Sequence, residues 1–252
     1  MDMFKARVLV ITGAGVSVES GIPTFRGRDG YWRKLDPAKL ATPEAFARDP
    51  KLVWQWYRER RQRIRAAQPN AAHEAIVRLS VSAHEFLLVT QNVDNLHARA
   101  EWEGERLREE QLVQIHGDIF VTRCSRCEFS RSDHEQEQEQ EEERRAIPQC
   151  PRCGSLMRPG VVWFGEQLDP CKIDIVESYI TRACDLVMVI GTTALFGYIV
   201  DWALRARGNS GQLIEVNPDE TPLSPFATKL IRKPAAVALP RLVDGLLDRQ
   251  SA

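Results

Sequence analysis

Arg7-Val8-Leu9-Val10-Ile11-Thr12-Gly13-Ala14-Gly15-Val16-Ser17-Val18-Glu19-Ser20-Gly21 is the stretch on which the reading of this chain turns. Its first half is a β-branched and leucine run with no polar alternation, as expected of a strand buried on both faces of a parallel sheet. Its second half is glycine-rich and leaves the strand at its C-terminal end. The pairing recurs: apolar runs at 85–90, 112–115, 185–190 and 212–216 end in Gln91-Asn92, His116-Gly117, Gly191-Thr192-Thr193 and Asn217-Pro218. Helical patterns at 50–67, 71–80 and 197–207 alternate with them, the last closed by Gly208 as a C-cap. The fold class is therefore α/β, a Rossmann-like parallel sheet. In such a sheet the five clusters share one edge, where ligands bind at the point at which strand order reverses.

Bulk properties narrow the function. The chain has 252 residues, 43% of them hydrophobic, enough for a well-buried core. With 34 basic and 35 acidic side chains the net charge is −1, which favours neither nucleic acid nor an anionic membrane as partner. No stretch reaches the roughly 18 apolar residues of a membrane span, and the first residues lack a secretory h-region. A soluble, cytoplasmic protein is expected. Six cysteines fall as the pairs Cys124/Cys127 and Cys150/Cys153 plus isolated Cys171 and Cys184, which suits a metal site in a reducing compartment better than a disulfide framework.

Two regions interrupt the alternation. The first, 31–69, is rich in aromatics (Tyr31, Trp32, Trp54, Trp56, Tyr57) and reads as a helical insertion over the sheet edge. The second, 122–157, contains both cysteine pairs and an acidic run over 134–143, which reads as a solvated helix or loop. The implied division is a Rossmann-like domain of 1–33, 79–121 and 158–252, an insertion of 34–78, and a small zinc-ribbon domain of 122–157.

The glycines after the first strand can bring backbone amides close to a pyrophosphate. They do not form the dehydrogenase fingerprint G-x-G-x-x-G, because Val18 stands where the third glycine belongs and the next glycine is Gly21. The continuation Ile22-Pro23-Thr24-Phe25-Arg26-Gly27 adds an aromatic and a cation, as in a segment that folds over a bound ligand. Each cysteine pair is Cys-x2-Cys, the two separated by 22 residues and flanked by turn formers, the spacing of a four-thiolate structural zinc site. His116 follows a strand among the other edge clusters. An imidazole there can accept a proton near neutrality without special tuning.

Taken in order, Gly13-Ala14-Gly15-Val16-Ser17, Gly21-Ile22-Pro23-Thr24-Phe25-Arg26, 90–97 (TQNVDNLH), His116-Gly117, the two cysteine pairs, Val161-Val162-Trp163-Phe164-Gly165-Glu166 and Gly191-Thr192-Thr193 resemble the sirtuin family of NAD-dependent protein lysine deacylases. The resemblance runs over nearly the whole chain. It implies NAD as a consumed co-substrate, structural zinc, and acylated lysine side chains of proteins as partners, with no nucleic acid and no membrane. It assigns NAD contacts to Gly13, Ala14, Gly15, Ser17, Thr24, Phe25, Arg26, Tyr31, Trp32, Gln91, Asn92, Val93, Asp94, Gly191, Thr192, Thr193, Asn217 and Ala235, with Asn92 and Asp94 around nicotinamide and its ribose. Metal ligands would be Cys124, Cys127, Cys150 and Cys153. Val162, Trp163, Phe164 and Gly165 would pair with the substrate backbone by β-augmentation. In the family's mechanism the acyl-lysine oxygen attacks the ribose carbon that bears nicotinamide. His116 would then act as general base on a ribose hydroxyl, leading to free lysine and O-acyl-ADP-ribose.

Within the insertion, Tyr57 and Arg60 stand at i and i+3 on one helix face, where a hydroxyl and a planar guanidinium can grip a carboxylate. By residue type alone the arginines of this helix would be a solvated basic face. The pair matches the Tyr-x-x-Arg of sirtuins that remove succinyl and malonyl groups, and Ala41 matches the small residue that widens their acyl pocket. The expected activity is removal of succinyl and malonyl groups, with acetyl as a further substrate. An NAD-dependent ADP-ribosyltransferase would share the cofactor residues. A non-enzymatic NAD-sensing or zinc-ribbon module would need no base such as His116, and the break at Val18 argues against a dehydrogenase.

Overall fold

The computed structural model describes residues 4–24, 36, 39–134 and 146–248. Phe25, Arg26, Tyr31 and Trp32 lie outside the described residues, as does the acidic run from position 135 onward. The strands are β1 (Phe4–Thr12), β2 (Ala83–Thr90), β3 (Leu112–Gln114), β4 (Gly117–Cys124), β5 (Ser130–Ser132), β6 (Met157–Val161), β7 (Leu186–Ile190), β8 (Gln212–Val216) and β9 (Lys229–Ile231). The helices are α1 (Pro43–Arg48), α2 (Pro50–Ala66), α3 (Ala71–Ser82), α4 (Leu96–Arg99), α5 (Pro170–Ile180), α6 (Gly197–Arg207) and α7 (Ala235–Asp248).

Six strands form one sheet in the order β3-β2-β1-β7-β8-β9, every neighbouring pair parallel. The missing polar alternation of β1 has a direct cause. Val8 and Val10 pack with Ile76 and Leu79 of α3 and Leu239 of α7, while Leu9 and Ile11 pack on the other face with Val176 of α5 and Ile199 and Trp202 of α6. Each such side chain contributes about 1.5–3 kcal/mol by leaving water. Strand order runs outward from β1 in both directions, so the reversal falls between β1 and β7, and the loops after these two strands face each other.

A second sheet, β5-β4-β6, is antiparallel and carries Cys124 at the end of β4. It adjoins α2, whose start is set by Pro50 at the first turn and by Asp49, which accepts from Leu52 N at 3.0 Å. The inner stripe of α2 holds Val53, Tyr57, Arg60, Arg61 and Ile64. Together with Leu40, Phe46 and Trp54 it packs on Ile119, Phe120 and Trp163. Arg61 is a structural clamp: its guanidinium donates to Ile119 O (2.6 Å), Val121 O (3.1 Å), Thr122 Oγ1 (3.0 Å) and the buried Asp133 (3.0 Å). A buried ion pair repays its desolvation only when its remaining donors are satisfied in this way. Helix α3, by contrast, packs against α7 in the core of the large sheet.

Candidate active site

Close approach of main chain builds the switch point. Gly13 N donates to Ile190 O (3.0 Å) and Gly15 N to Gly191 O (2.7 Å), which ties the loop after β1 to the loop after β7. A Cβ on Gly15 would lie 2.7 Å from Gly191 Cα, and one on Gly191, at φ +60°, would lie 2.5 Å from Val16 N. Glycine is required at both by sterics, and at Gly191 by its left-handed conformation as well. The amides of Gly13 and Gly15 are thus engaged within the protein, and the glycines act by letting two loops meet.

The other edge clusters lock onto this pair. Gln91 Nε2 donates to Thr192 Oγ1 (2.9 Å), and Asn217 Nδ2 donates to Thr192 O (2.6 Å). Asn92 Nδ2 donates to Ser17 Oγ at 3.1 Å, and Ser17 Oγ in turn donates to Asp94 Oδ2 at 2.8 Å. Ser17 and Asp94 are buried behind Asn92, and neither lines the cavity. Burial raises the carboxyl pKa of Asp94 above the usual range, opposed by hydrogen bonds from Leu96 N and Ser17.

The cavity encloses about 700 Å³. Gly13, Ala14, Gly15, Thr24, Gln91, Asn92, Val93, Gly191, Thr192, Thr193, Asn217 and Ala235 line it, as do His116, Ala41, Tyr57, Arg60 and all of Val162–Gly165. One chamber thus joins residues that are 222 positions apart in the chain (13 to 235). Arg60 is only 5% exposed, so it does not belong to a solvated basic face. Its guanidinium carbon lies 4.7 Å from the Trp56 ring centre and 5.8 Å from that of Tyr57. Tyr57 Oη accepts the indole hydrogen of Trp163 at 2.9 Å, and burial raises the phenol's pKa.

The segment expected to pair with a peptide is already partly hydrogen-bonded. Val162 N donates to His116 O (2.8 Å), Trp163 N to Glu166 Oε2 (2.8 Å) and Phe164 N to Ala41 O (2.9 Å). Glu166 is itself held by Arg158, whose guanidinium lies 3.3 Å over the Trp163 ring.

His116 Nδ1 is 3.0 Å from Gln91 O, and Nε2 is 2.7 Å from Tyr198 Oη. Burial holds the imidazole pKa below its ordinary value. The Gln91 carbonyl opposes this shift, and the nearby Lys172 ammonium adds to it. Phe196 and Tyr198 also line the cavity, and the sequence reading missed both. Two aromatics flanking Gly197, just past the Gly191 cluster, were the available signal.

Outside the cavity, the four sulfurs of Cys124, Cys127, Cys150 and Cys153 lie within 4.8 Å of one another. The Cys124–Cys153 and Cys127–Cys150 separations are 3.5 and 3.6 Å. Tetrahedral Zn–S bonds of about 2.3 Å require sulfurs about 3.8 Å apart, so the donor set fits zinc. Backbone N–H groups of Cys127 and Arg126 point at Cys124 Sγ and lower its pKa, and Ser155 draws Cys153 down to about 6. These two shifts favour the thiolate, the form that binds metal, whereas desolvation and the neighbouring sulfurs push Cys127 up to about 12.

A parallel sheet with a glycine-lined chamber at its switch point, a half-buried histidine on the chamber wall and a four-thiolate module alongside defines a nucleotide-type α/β protein with a structural metal site. The model of the Sir2 family matches residues 13–196, and the chain belongs to that family. Among its relatives, an NAD-dependent protein deacylase of Aquifex aeolicus (strain VF5) is 39% identical, covering 98% of each chain. NAD-dependent protein deacylase 1 of Archaeoglobus fulgidus is 43% identical over 94% of this chain and 91% of its own. A structure solved as a Sir2 homolog–NAD complex superposes with a TM-score of 0.84, at 40% identity over 98% of this chain and 92% of that one.

Proposed function

We propose that the protein is an NAD-dependent protein lysine deacylase that acts preferentially on succinyl- and malonyl-lysine and also removes acetyl groups. The observation that carries the acyl preference is the burial of Tyr57 and Arg60 on the inner stripe of α2, lining the same cavity as Ala41 and His116. A guanidinium in a desolvated pocket binds a carboxylate far more strongly than one in water. Because Tyr57 Oη accepts from Trp163, its own hydrogen is left to donate to an acyl carboxylate.

The cavity's shape and its glycine-only approaches fit a dinucleotide, held by Gly13–Gly15, Thr24, Gln91–Val93, Gly191–Thr193, Asn217 and Ala235. Phe25, Arg26, Tyr31 and Trp32 complete that set in our reading. Bound NAD supplies the ribose carbon that gives up nicotinamide and takes on the acyl group. Asn92 faces the cavity, oriented by Ser17, and Asp94 acts through Ser17. His116 is the general base, its Nδ1 hydrogen fixed by Gln91 O so that Nε2 carries the lone pair. The four cysteines hold zinc in a purely structural role, since four thiolates leave no open position. We assign α1 and α2 to an acyl-pocket insertion and 122–157 to a zinc module; the expected insertion of 34–78 reaches too far, because Ala72, Ala75 and Ile76 of α3 pack in the core of the large sheet, so the dinucleotide domain takes in 1–33, 71–121 and 158–252. Packing of Leu40, Phe46, Trp54 and Tyr57 on Trp163 and Phe120 supports the insertion. Two Cys-x2-Cys pairs, which suit a metal site better than a disulfide framework, accord with a cytoplasmic setting. Transfer of ADP-ribose to a protein side chain would leave Tyr57, Arg60 and Ala41 without a task.

The test is a panel of acetyl, malonyl and succinyl peptides with NAD, read as kcat/KM for the wild type and for Arg60→Met. A charge-assisted pair of about 1.5–3 kcal/mol predicts a roughly ten- to 150-fold loss for succinyl and malonyl, with acetyl changed less than about threefold. Equal loss on all three would remove Arg60 as the carboxylate reader.

A further inference from the structure

Tyr198 stands at the second position of α6 and reaches the base directly. The Gln91 carbonyl can only accept, so His116 Nδ1 carries the hydrogen and Nε2 is the acceptor of a neutral ring. The Tyr198 phenol must then donate to Nε2 across 2.7 Å. That lone pair is the one a general base needs to take a proton from a ribose hydroxyl.

The phenol is held firmly. Its ring stacks on Phe196 (5.6 Å, 16° between planes) and packs against Trp202 at 4.9 Å. Burial raises its pKa, so it stays a neutral donor at any working pH. Around His116, Lys172 of α5 is occupied by Gln114 O at 2.7 Å, and the Phe196 ring meets the imidazole edge-on at 5.7 Å. Asp118 of β4 is turned to His134, at 3.2 Å, and to Gln114. Among these, Tyr198 is the group within hydrogen-bond reach of Nε2.

We propose that Tyr198 is a positioning residue that latches the general base, holding the His116 Nε2 lone pair until a ribose hydroxyl takes the place of the phenol. The proposal rests on the reading of His116 as base. The latch keeps the imidazole neutral and aimed into the cavity before the cofactor binds, and it is released by the group on which the base acts. One hydrogen bond replaces another, so the latch holds back cofactor binding by no more than the worth of the single bond given up.

Tyr198→Phe removes only the hydroxyl and keeps the stacked ring. The readout without turnover is NMR titration of the His116 ring, assigned by its absence in His116→Ala, in free protein and with ADP-ribose. A donor to Nε2 stabilises the neutral ring, so in the free variant the imidazole pKa rises by roughly half to one unit. With ADP-ribose, wild type and variant titrate alike. In kinetics the acid limb of kcat/KM, which reports free enzyme, moves up by the same amount, while the limb of kcat stays in place. The KM for NAD falls by about two- to tenfold, because no phenol has to be displaced.

Identical titration of the two free proteins would overturn the proposal, leaving Tyr198 a packing residue. A roughly hundredfold loss of kcat would also overturn it, making the phenol a proton relay. Should the wild type release no nicotinamide with acylated peptide, the reading of the base fails instead, and the NMR comparison still decides whether the phenol holds Nε2.

Discussion

Gly13, Gly15 and Gly191 build their part of the cavity wall from main chain, whereas Tyr57, Arg60 and Ala41 build theirs from side chains. In the first part the loops after β1 and β7 meet so closely that a single methyl does not fit. In the second, helix α2 presents a hydroxyl and a guanidinium, and an alanine leaves room beside them. The difference teaches where the site can diverge. A main-chain surface is fixed by the fold and suits a ligand that never changes, while a side-chain surface is open to single substitutions and, in the function proposed above, is the part that selects among acyl groups.

The comparison is broken most severely at Gly191. Gly191→Ala forces a left-handed alanine into contact with Val16 N, and we expect a loss of about 3 kcal/mol in denaturant-monitored stability, together with NAD turnover on every acyl peptide. A variant that kept turnover would show that the main-chain wall yields.

Acid should act on the same half. Helix α3 begins at Asn70, whose side chain holds Val16 O and Ser20 Oγ, each at 2.9 Å, and His73 closes the capping box on Asn70 N. His73 packs against His97 at 4.7 Å, and burial lowers its pKa from 6.5 to about 4; burial and the neighbouring His73 hold His97 low as well. Above pH 6.5 both rings are neutral whether the chain is folded or not. As pH falls from 6.5 toward 4 the unfolded chain binds protons that the folded one refuses, so stability is lost over that window, and the His73 part of the loss levels off below it. His73 alone accounts for roughly 2–3 kcal/mol. Urea midpoints measured between pH 7 and 4.5 test this, and a flat profile would detach the histidines from the main-chain wall.

The smallest effect is the sharpest for selectivity. Ala41→Val narrows the acyl pocket, and its expected outcome is an approximately tenfold lower kcat/KM on succinyl peptide with unchanged affinity for NAD. Weakened NAD binding in that variant would mean that the two walls are not independent.

Much of this was legible in the sequence. The five apolar runs became five of the six strands of the large sheet; β1 and β7 are buried on both faces and need no polar alternation, while β3 at the sheet edge is only partly covered. The cysteine spacing located the four-sulfur cluster, because two knuckles closing on one ion leave little freedom. The third dimension was less visible. The neighbours Arg60 and Arg61 look alike in the chain, yet one lines the cavity and the other clamps β4, a division set by about 100° of helix rotation. Asp94 and Ser17 sit among residues that line the cavity but lie behind Asn92. Tyr198 went unmarked within the helical stretch 197–207, since nothing local reveals which way the start of a helix will aim a phenol.

The clamp at Arg61 ties together two parts with separate tasks. It fastens the helix that carries Tyr57 and Arg60 to the strand that ends at Cys124, and the Trp54 indole adds a bond to Met157 O at 2.9 Å on the next strand. The strand that ends in the four-sulfur cluster is therefore also the anchor of the helix that carries Tyr57 and Arg60.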